Sequence, residues 1–503
     1  MIPFGDFTFF GLLLYAVIPT ILLGLIGRTG RWWTLLVTLG VLGLQFSDEL
    51  AVRPGLDVRE IWIVLGYAAY ECVVALAFLR WKTRATFCAA LALTLLPLVA
   101  AKVLPFLSAE TAFGFLGISY VTFRALDVVF SIHDGVVKTL PPTQYFAFLF
   151  FFPAVSSGPI DRYRRFGQDW VKSRSRAEFL DDLDFATSRV FRGFLCKFIL
   201  AALIHAHWVG PAAKQSGAFA RLSLMYAETF YLFFDFAGYS AFAIGLGRLF
   251  GIRTPENFNA PFLSQNIREF WTRWHISLSA WFRDHIHMRF MLAAVKGKWF
   301  AGKHTANYLG LCLTFGLMGV WHGLELRYIL YGAYHAALLC GYDWFSRWNK
   351  TARLWGTGPA WRGANIVLTF HAFAFGIMLF NGHLTPRVPP RHEESVETCD
   401  CHTITGVVWD RAKPGAPHQV DIYVDYTWVA RVRADQFRED LQERGMGDGR
   451  HAFSYDFESY VRDGRSHTIE ARLYGPGRTL RGSPAMITCP HEEVAPPPAP
   501  PAP

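Results

Sequence analysis

Ten predominantly apolar stretches recur along the first 380 positions, at 7–26, 32–46, 61–78, 87–106, 112–130, 190–204, 230–250, 308–321, 328–342 and 366–380. A bilayer core takes roughly 20 apolar residues per helix, and several of these runs reach that length. No soluble fold can hide so many in one chain. Composition agrees, with 52% hydrophobic residues, 18% charged and 45 phenylalanines, because lipid solvates apolar surface that water does not. The pattern predicts an all-α polytopic membrane protein with about ten spans, while 145–155 is too short to cross straight and suits a re-entrant segment.

Lys and Arg in short loops set the expected orientation. Arg28 and Arg31 follow the first run, and Arg80, Lys82 and Arg84 follow the third, so both sites are expected inside. The loop with Asp48, Glu49, Asp57 and Glu60 is expected outside, and the basic connections 161–189 and 251–303 inside. Asp6 and the lack of a basic leader make the first run a retained span, not a cleaved signal. The formal charge of +9 is spread between apolar runs and does not form a groove-tracking array, which argues against nucleic acid.

Residues 1–381 therefore form one membrane domain. A Pro- and charge-rich linker covers 382–398, and a Pro/Ala tail expected to be disordered covers 491–503. Between them, 399–490 predicts a small β-rich domain, with strand-like runs at 420–424, 428–432, 452–455 and 468–473 and one helix at 434–444. An even number of spans puts it outside. Cys399, Cys401 and Cys489 bracket it, and an oxidising compartment lets Cys489 pair with Cys399 or Cys401.

The densest chemical signal is Arg268-Glu-Phe-Trp-Thr-Arg-Trp-His275-Ile-Ser-Leu-Ser-Ala-Trp-Phe-Arg283-Asp284. On one continuous helix Trp271, His275, Leu278 and Phe282 share a face, which fits either a functional histidine or a core histidine on an interfacial helix. The second is Trp321-His322-Gly323 at the end of an apolar run. An ionisable group at membrane depth is costly, and a neutral imidazole accepts a proton from a hydroxyl near neutral pH; a structural hydrogen bond between helices is the alternative. Gly245-Leu-Gly247-Arg-Leu-Phe-Gly251 lies in a span without a preceding strand and reads as close helix packing. Cys399-Asp-Cys401-His402 lacks a fourth ligand for zinc, so the disulfide is preferred and no metal is expected.

The segments around His275 and Trp321-His322-Gly323 resemble the signature of membrane-bound O-acyltransferases. Four further stretches resemble the D-alanyl transfer branch of that family: Phe115-Leu-Gly-Ile-Ser-Tyr-Val-Thr-Phe-Arg124, Ser157-Gly-Pro-Ile-Asp-Arg-Tyr-Arg-Arg-Phe166, Phe233-Phe-Asp-Phe-Ala-Gly-Tyr239 and Glu256-Asn-Phe-Asn-Ala-Pro261. The resemblance covers about 12–380. It implies a ring of about ten to eleven helices around a central tunnel in the bacterial cytoplasmic membrane, with His322 as the catalytic histidine and His275 as the second one. It also implies a donor of D-alanine held as a phosphopantetheine thioester on a small acidic carrier protein, with no permanently bound cofactor. A small single-span membrane partner and a glycan or lipid-linked acceptor complete the implied system. Trp321, Ser157, Asp161, Arg162, Arg164, Arg165, Arg283 and Arg289 are the expected tunnel or carrier-docking residues. The rival expectation is an O-acetyltransferase of an exported polysaccharide, of the alginate-acetylation type.

Overall fold

The computed structural model describes residues 3–5, 7–28, 30–46, 59–107, 114–356, 358–385, 392–411, 414–425, 427–457, 461–474 and 479–490. Expectations for Asp6, for Asp48, Glu49 and Asp57, and for the 491–503 tail lie outside these residues. The chain divides into two compact units, Met1–Pro386 and Arg387–Pro503.

The first unit is helical, and each of the ten apolar runs coincides with a helix among the described residues. Six of these are long and apolar enough to cross a bilayer: Phe7–Leu25, Ile61–Arg80, Arg84–Leu104, Arg176–Ala213, Ala218–Leu249 and Pro359–Phe380. Their outward faces carry large apolar side chains such as Tyr15, Leu22, Trp62 and Val73, each more than half exposed, as lipid-facing surfaces require. The 145–155 stretch becomes a short helix, Pro142–Phe150, and a 3-10 turn, Phe152–Ala154, both sunk among phenylalanines.

Close helix contact in lipid depends on small residues, because packing and not water exclusion holds the helices together. A Cβ on Gly245 would stand 3.1 Å from the Ala186 carbonyl oxygen, and one on Gly238 only 2.8 Å from the Lys197 amide. Gly245 thus presses Ala218–Leu249 onto Arg176–Phe194 and Gly238 presses it onto the π-helical stretch Leu195–Ala201 that follows, while Gly247 makes room for Ile252 and Thr254 and Gly251 for Arg174. Helices Lys303–His322 and Leu326–Ala352 meet in the same way: a Cβ on Gly319 would lie 2.4 Å from the Tyr328 carbonyl, and one on Gly332 equally near that of Phe315.

Two corrections follow from the backbone. The segment 268–284 is not one helix: it breaks into Ile267–Arg273 and Ile276–Phe282, with His275 in the left-handed region at φ 43 and ψ 53. Trp271, Leu278 and Phe282 remain in one buried cluster, but the turn at His275 re-aims the second helix. In the second unit, the expected helix at 434–444 shrinks to Glu439–Glu443, because Ala434 still belongs to a strand and Gln436–Phe437 pairs with another.

Among the described residues, the second unit is a sandwich of two antiparallel four-stranded sheets. Its strands are β1 (His392–Cys399), β2 (Thr403–Asp410), β3 (His418–Val424), β4 (Thr427–Ala434), β5 (Gln436–Phe437), β6 (Arg450–Asp456), β7 (Ser466–Leu473) and β8 (Ala485–Thr488). The sheet orders are β1-β2-β6-β5 and β4-β3-β7-β8. All of β1 but its last residue, Cys399, lies in the 382–398 stretch expected to be a linker. Alternation sets the inner faces: Val420, Ile422 and Val424 of β3 pack with Ile404 and Val408 of β2, Phe453 of β6 and Ile469 of β7. Cys401 pairs with Cys489, and Cys399 stays free, half-buried in its strand. That bond removes Cys401 from any metal site in the Cys399-Asp-Cys401-His402 segment.

Candidate active site

The two histidines singled out in the sequence line one cavity of about 270 Å³ in the helical unit. His322 is the last residue of Lys303–His322, where the glycine contact with the next helix holds it between Trp321 (ring centroids 4.5 Å), Phe380 (4.9 Å) and Tyr328 (6.0 Å). Gly323 is required there, since a Cβ would strike the Tyr328 ring at 2.5 Å. His275 enters from the broken helix and meets the Phe236 ring at 4.8 Å.

What holds His275 in a conformation that β-carbons disfavour is the Glu256–Pro261 stretch. The Asn257 carbonyl accepts the Ile276 amide at 3.0 Å, while its side-chain oxygen accepts the Ser277 hydroxyl at 2.6 Å. Phe258 forms a β-bridge with Trp274, and the Asn259 amide donates to the Arg273 carbonyl at 3.0 Å. The turn is therefore clasped from outside and needs no glycine.

The other quoted stretches converge on the same place. Arg124, 1% exposed, donates to the carbonyls of Leu149 (2.8 Å), Phe148, Ala154 and Pro159, and so fastens the loop that carries Ser157. The Tyr239 hydroxyl accepts the Ser157 amide at 3.0 Å and bonds the Ser156 hydroxyl at 2.8 Å. Tyr120, Ser157, Asp235 and Phe236 all line the cavity beside the histidines.

Polar capacity in the wall is left unused. Trp271 Nε1, Trp321 Nε1 and His275 Nδ1 are buried and find no partner among the described residues. Buried donors are almost always satisfied, so their clustering here marks room for a polar guest. Asp235, joined to Lys197 in an ion pair, is the one carboxylate in the cavity wall among the described residues. A neutral imidazole, indole donors and an apolar shell can together accept a hydroxyl proton, hold a carbonyl and keep bulk water out.

Of the expected site residues, the cavity gathers His322, His275, Trp321 and Ser157. Asp161 and the arginines lie elsewhere. Arg162 bridges Asp127 (2.9 Å) and Asp284 (2.8 Å), Arg165 holds Asp161 and Asp169, Arg283 pairs with Asp284, and Arg289 pairs with Asp134. Arg164 is exposed on the short helix Tyr163–Trp170. Asp235 and Arg124 were not singled out, although a charged residue inside an apolar span is the signal that finds them. Tyr331 and Phe380 carry no such signal; only the fold brings them to His322.

The family model for MBOAT, the membrane-bound O-acyltransferase family, matches residues 74–382, and the chain belongs to that family. It is similar to the teichoic acid D-alanyltransferase of Bacillus subtilis strain 168, at 41% identity over 76% of this chain and 98% of that protein. The teichoic acid D-alanyltransferase of Lacticaseibacillus rhamnosus is 35% identical over 76% of this chain and 97% of its own length. A probable alginate O-acetylase of Pseudomonas aeruginosa is 33% identical, over 53% of this chain and 48% of its own length. The chain is thus a membrane-bound acyltransferase, and its matched family segment ends before β1.

Proposed function

We propose that this enzyme moves D-alanine from a carrier-protein thioester to hydroxyl groups of a cell-envelope polymer. The observation that carries the reading is the shared cavity of His322, His275, Trp321 and Ser157, in a chain that covers nearly the whole of two D-alanyltransferases. The acceptor hydroxyl gives its proton to His322 while its oxygen attacks the thioester carbonyl carbon. A C–O bond forms and the C–S bond breaks. The imidazolium then returns the proton to the leaving thiolate, so the phosphopantetheine arm departs as a free thiol. His275 and the two indole N–H groups orient the acyl carbonyl.

The helices form a ring around a tunnel, with the carrier at the cytoplasmic mouth and the acceptor at the outer one. The chain sits in the bacterial cytoplasmic membrane, a small single-span protein completes the acceptor side, and the sandwich is extracytoplasmic. Its Cys401–Cys489 bond supports that placement, because disulfides persist in oxidising compartments. Proteoliposomes given equal carrier loaded with D-alanyl or acetyl groups should esterify the polymer from the D-alanyl donor, with the acetyl donor at least about tenfold slower. Faster acetyl transfer would assign the chain to the polysaccharide acetylases instead.

Carrier docking is expected to use Arg164 more than its neighbours. Arg164→Glu should weaken carrier capture with little change in stability, since the side chain is exposed, and raised salt should mimic it. Arg162→Glu should instead destabilise the fold by about 1.5–3 kcal/mol, because it takes the cation from the buried carboxylate of Asp127, which among the described residues keeps only the Tyr163 amide and His285. Carrier pull-downs paired with thermal unfolding separate the two, and unchanged capture by Arg164→Glu moves the dock elsewhere.

A further inference from the structure

The outer face of the sheet β4-β3-β7-β8 has a construction that the sandwich core does not need. Val420, Ile422 and Val424 point inward, so Asp421 and Tyr423 of β3 point out, beside their cross-strand partners Arg431 and Trp428 of β4. The Trp428 indole N–H donates to Asp421 at 3.1 Å, two residues along from Tyr423, its own partner in the register. The indole therefore lies along the sheet and does not stand off it. Its one polar atom is satisfied, yet 53% of the residue stays exposed.

Around that bare indole, polar groups are held in fixed positions. Asp421 takes Arg431 through two bonds, at 2.7 and 3.1 Å, and the guanidinium lies 3.5 Å from the centre of the Tyr474 ring. Glu470 takes Arg472 likewise, at 2.8 and 2.9 Å, and Arg472 lies 4.8 Å from the Tyr423 ring. Each guanidinium is matched by a carboxylate, so the patch offers no net charge to a polyanion. It offers a flat apolar surface flanked by the part-exposed guanidinium groups of Arg431 and Arg472, which the buried Asp421 and Glu470 hold in place, at little further cost in side-chain ordering.

We infer that this sheet face binds a neutral saccharide chain, one hexopyranose ring lying on Trp428 beside the Arg431 guanidinium and the chain continuing across the sheet toward that of Arg472, each guanidinium donating to sugar hydroxyls. A pyranose has one face of axial C–H groups and a rim of equatorial hydroxyls, which is the complement of an aromatic plane edged by planar polar groups. A phosphate-rich polymer would meet two carboxylates already committed to their arginines, and is disfavoured. The sandwich lies outside the matched family segment, so this is a binding function added to the acyltransferase.

The test is affinity electrophoresis of the full-length protein in nanodiscs through gels carrying maltohexaose, cellohexaose or laminarihexaose conjugates, with polyglycerol phosphate as the anionic comparison. Wild type should be retarded by at least one neutral hexaose. Trp428→Ala should lose at least about tenfold in apparent affinity, as expected of a central aromatic anchor, while Trp428→Phe stays within about threefold. Phe437→Ala, an equally exposed aromatic on the other sheet, should match wild type. Wild-type-like resistance of the sandwich to limited proteolysis in each variant reports that it is folded. Retardation by polyglycerol phosphate alone, by no polymer, or equally in Trp428→Ala and wild type would overturn the inference. D-alanyl transfer to a soluble acceptor is measured separately and does not depend on the outcome.

Discussion

His322→Ala should reduce acyl transfer by about 100- to 10,000-fold while the protein still inserts and folds. The imidazole is the proton acceptor that the reaction requires, and it sits at a helix end where Trp321, Tyr328 and Phe380 supply the packing. Removing it leaves those rings in place, so the loss should fall on kcat and not on thermal stability. Single-turnover transfer from a preloaded carrier measures the chemical step directly. Ester formation at the wild-type rate would remove His322 from the mechanism, and an unfolded variant would make it a packing residue.

The second large effect concerns the sandwich. Cys401→Ser should destabilise it by about 2–4 kcal/mol, because the bond to Cys489 closes a loop of 88 residues and its loss returns that entropy to the unfolded chain. For a domain of this size the melting midpoint should fall by on the order of 10–20 °C. The helical unit should keep its own transition. Limited proteolysis with and without reductant reads both units in one experiment, and equal resistance of Cys401→Ser and wild type would show that the bond contributes little. Cys399→Ser should be near neutral, since that thiol is unbonded.

Two features of the family were visible in the residues before any geometry. His275 and His322 are ionisable groups in apolar surroundings, and a bilayer admits these only where they are used or paired. Their meeting in one cavity was not visible, because 46 residues, with the complete helices Ile276–Phe282 and Met288–Lys296, lie between them. The arginines show the opposite case. Arg162 and Arg289 look free in a sequence, yet Asp127, Asp284 and Asp134, all distant in the chain, neutralise them, and only tertiary contact reveals it; Arg165 is held by its own helical neighbours Asp161 and Asp169.

Local composition and period are enough to fix the solvent of this protein and its division into two units. Ten apolar runs separated by basic or acidic loops leave only a membrane domain, and an abrupt return to alternating polarity after 380 leaves only a β-rich appendage. These are properties of local composition and period, which neighbouring residues carry together. Tertiary structure decided where the 268–284 helix breaks, since the clasp on His275 comes from Asn257 in another segment and helical periodicity on both sides hides the turn. It also decided that Cys401, not Cys399, meets Cys489. Residues i and i+2 share a face of an extended chain, so strand alternation cannot choose between the two cysteines; Cys399 closes β1 while Cys401 lies in the turn before β2, and only the folded turn brings Cys401 to a Cα–Cα distance of 5.5 Å from Cys489.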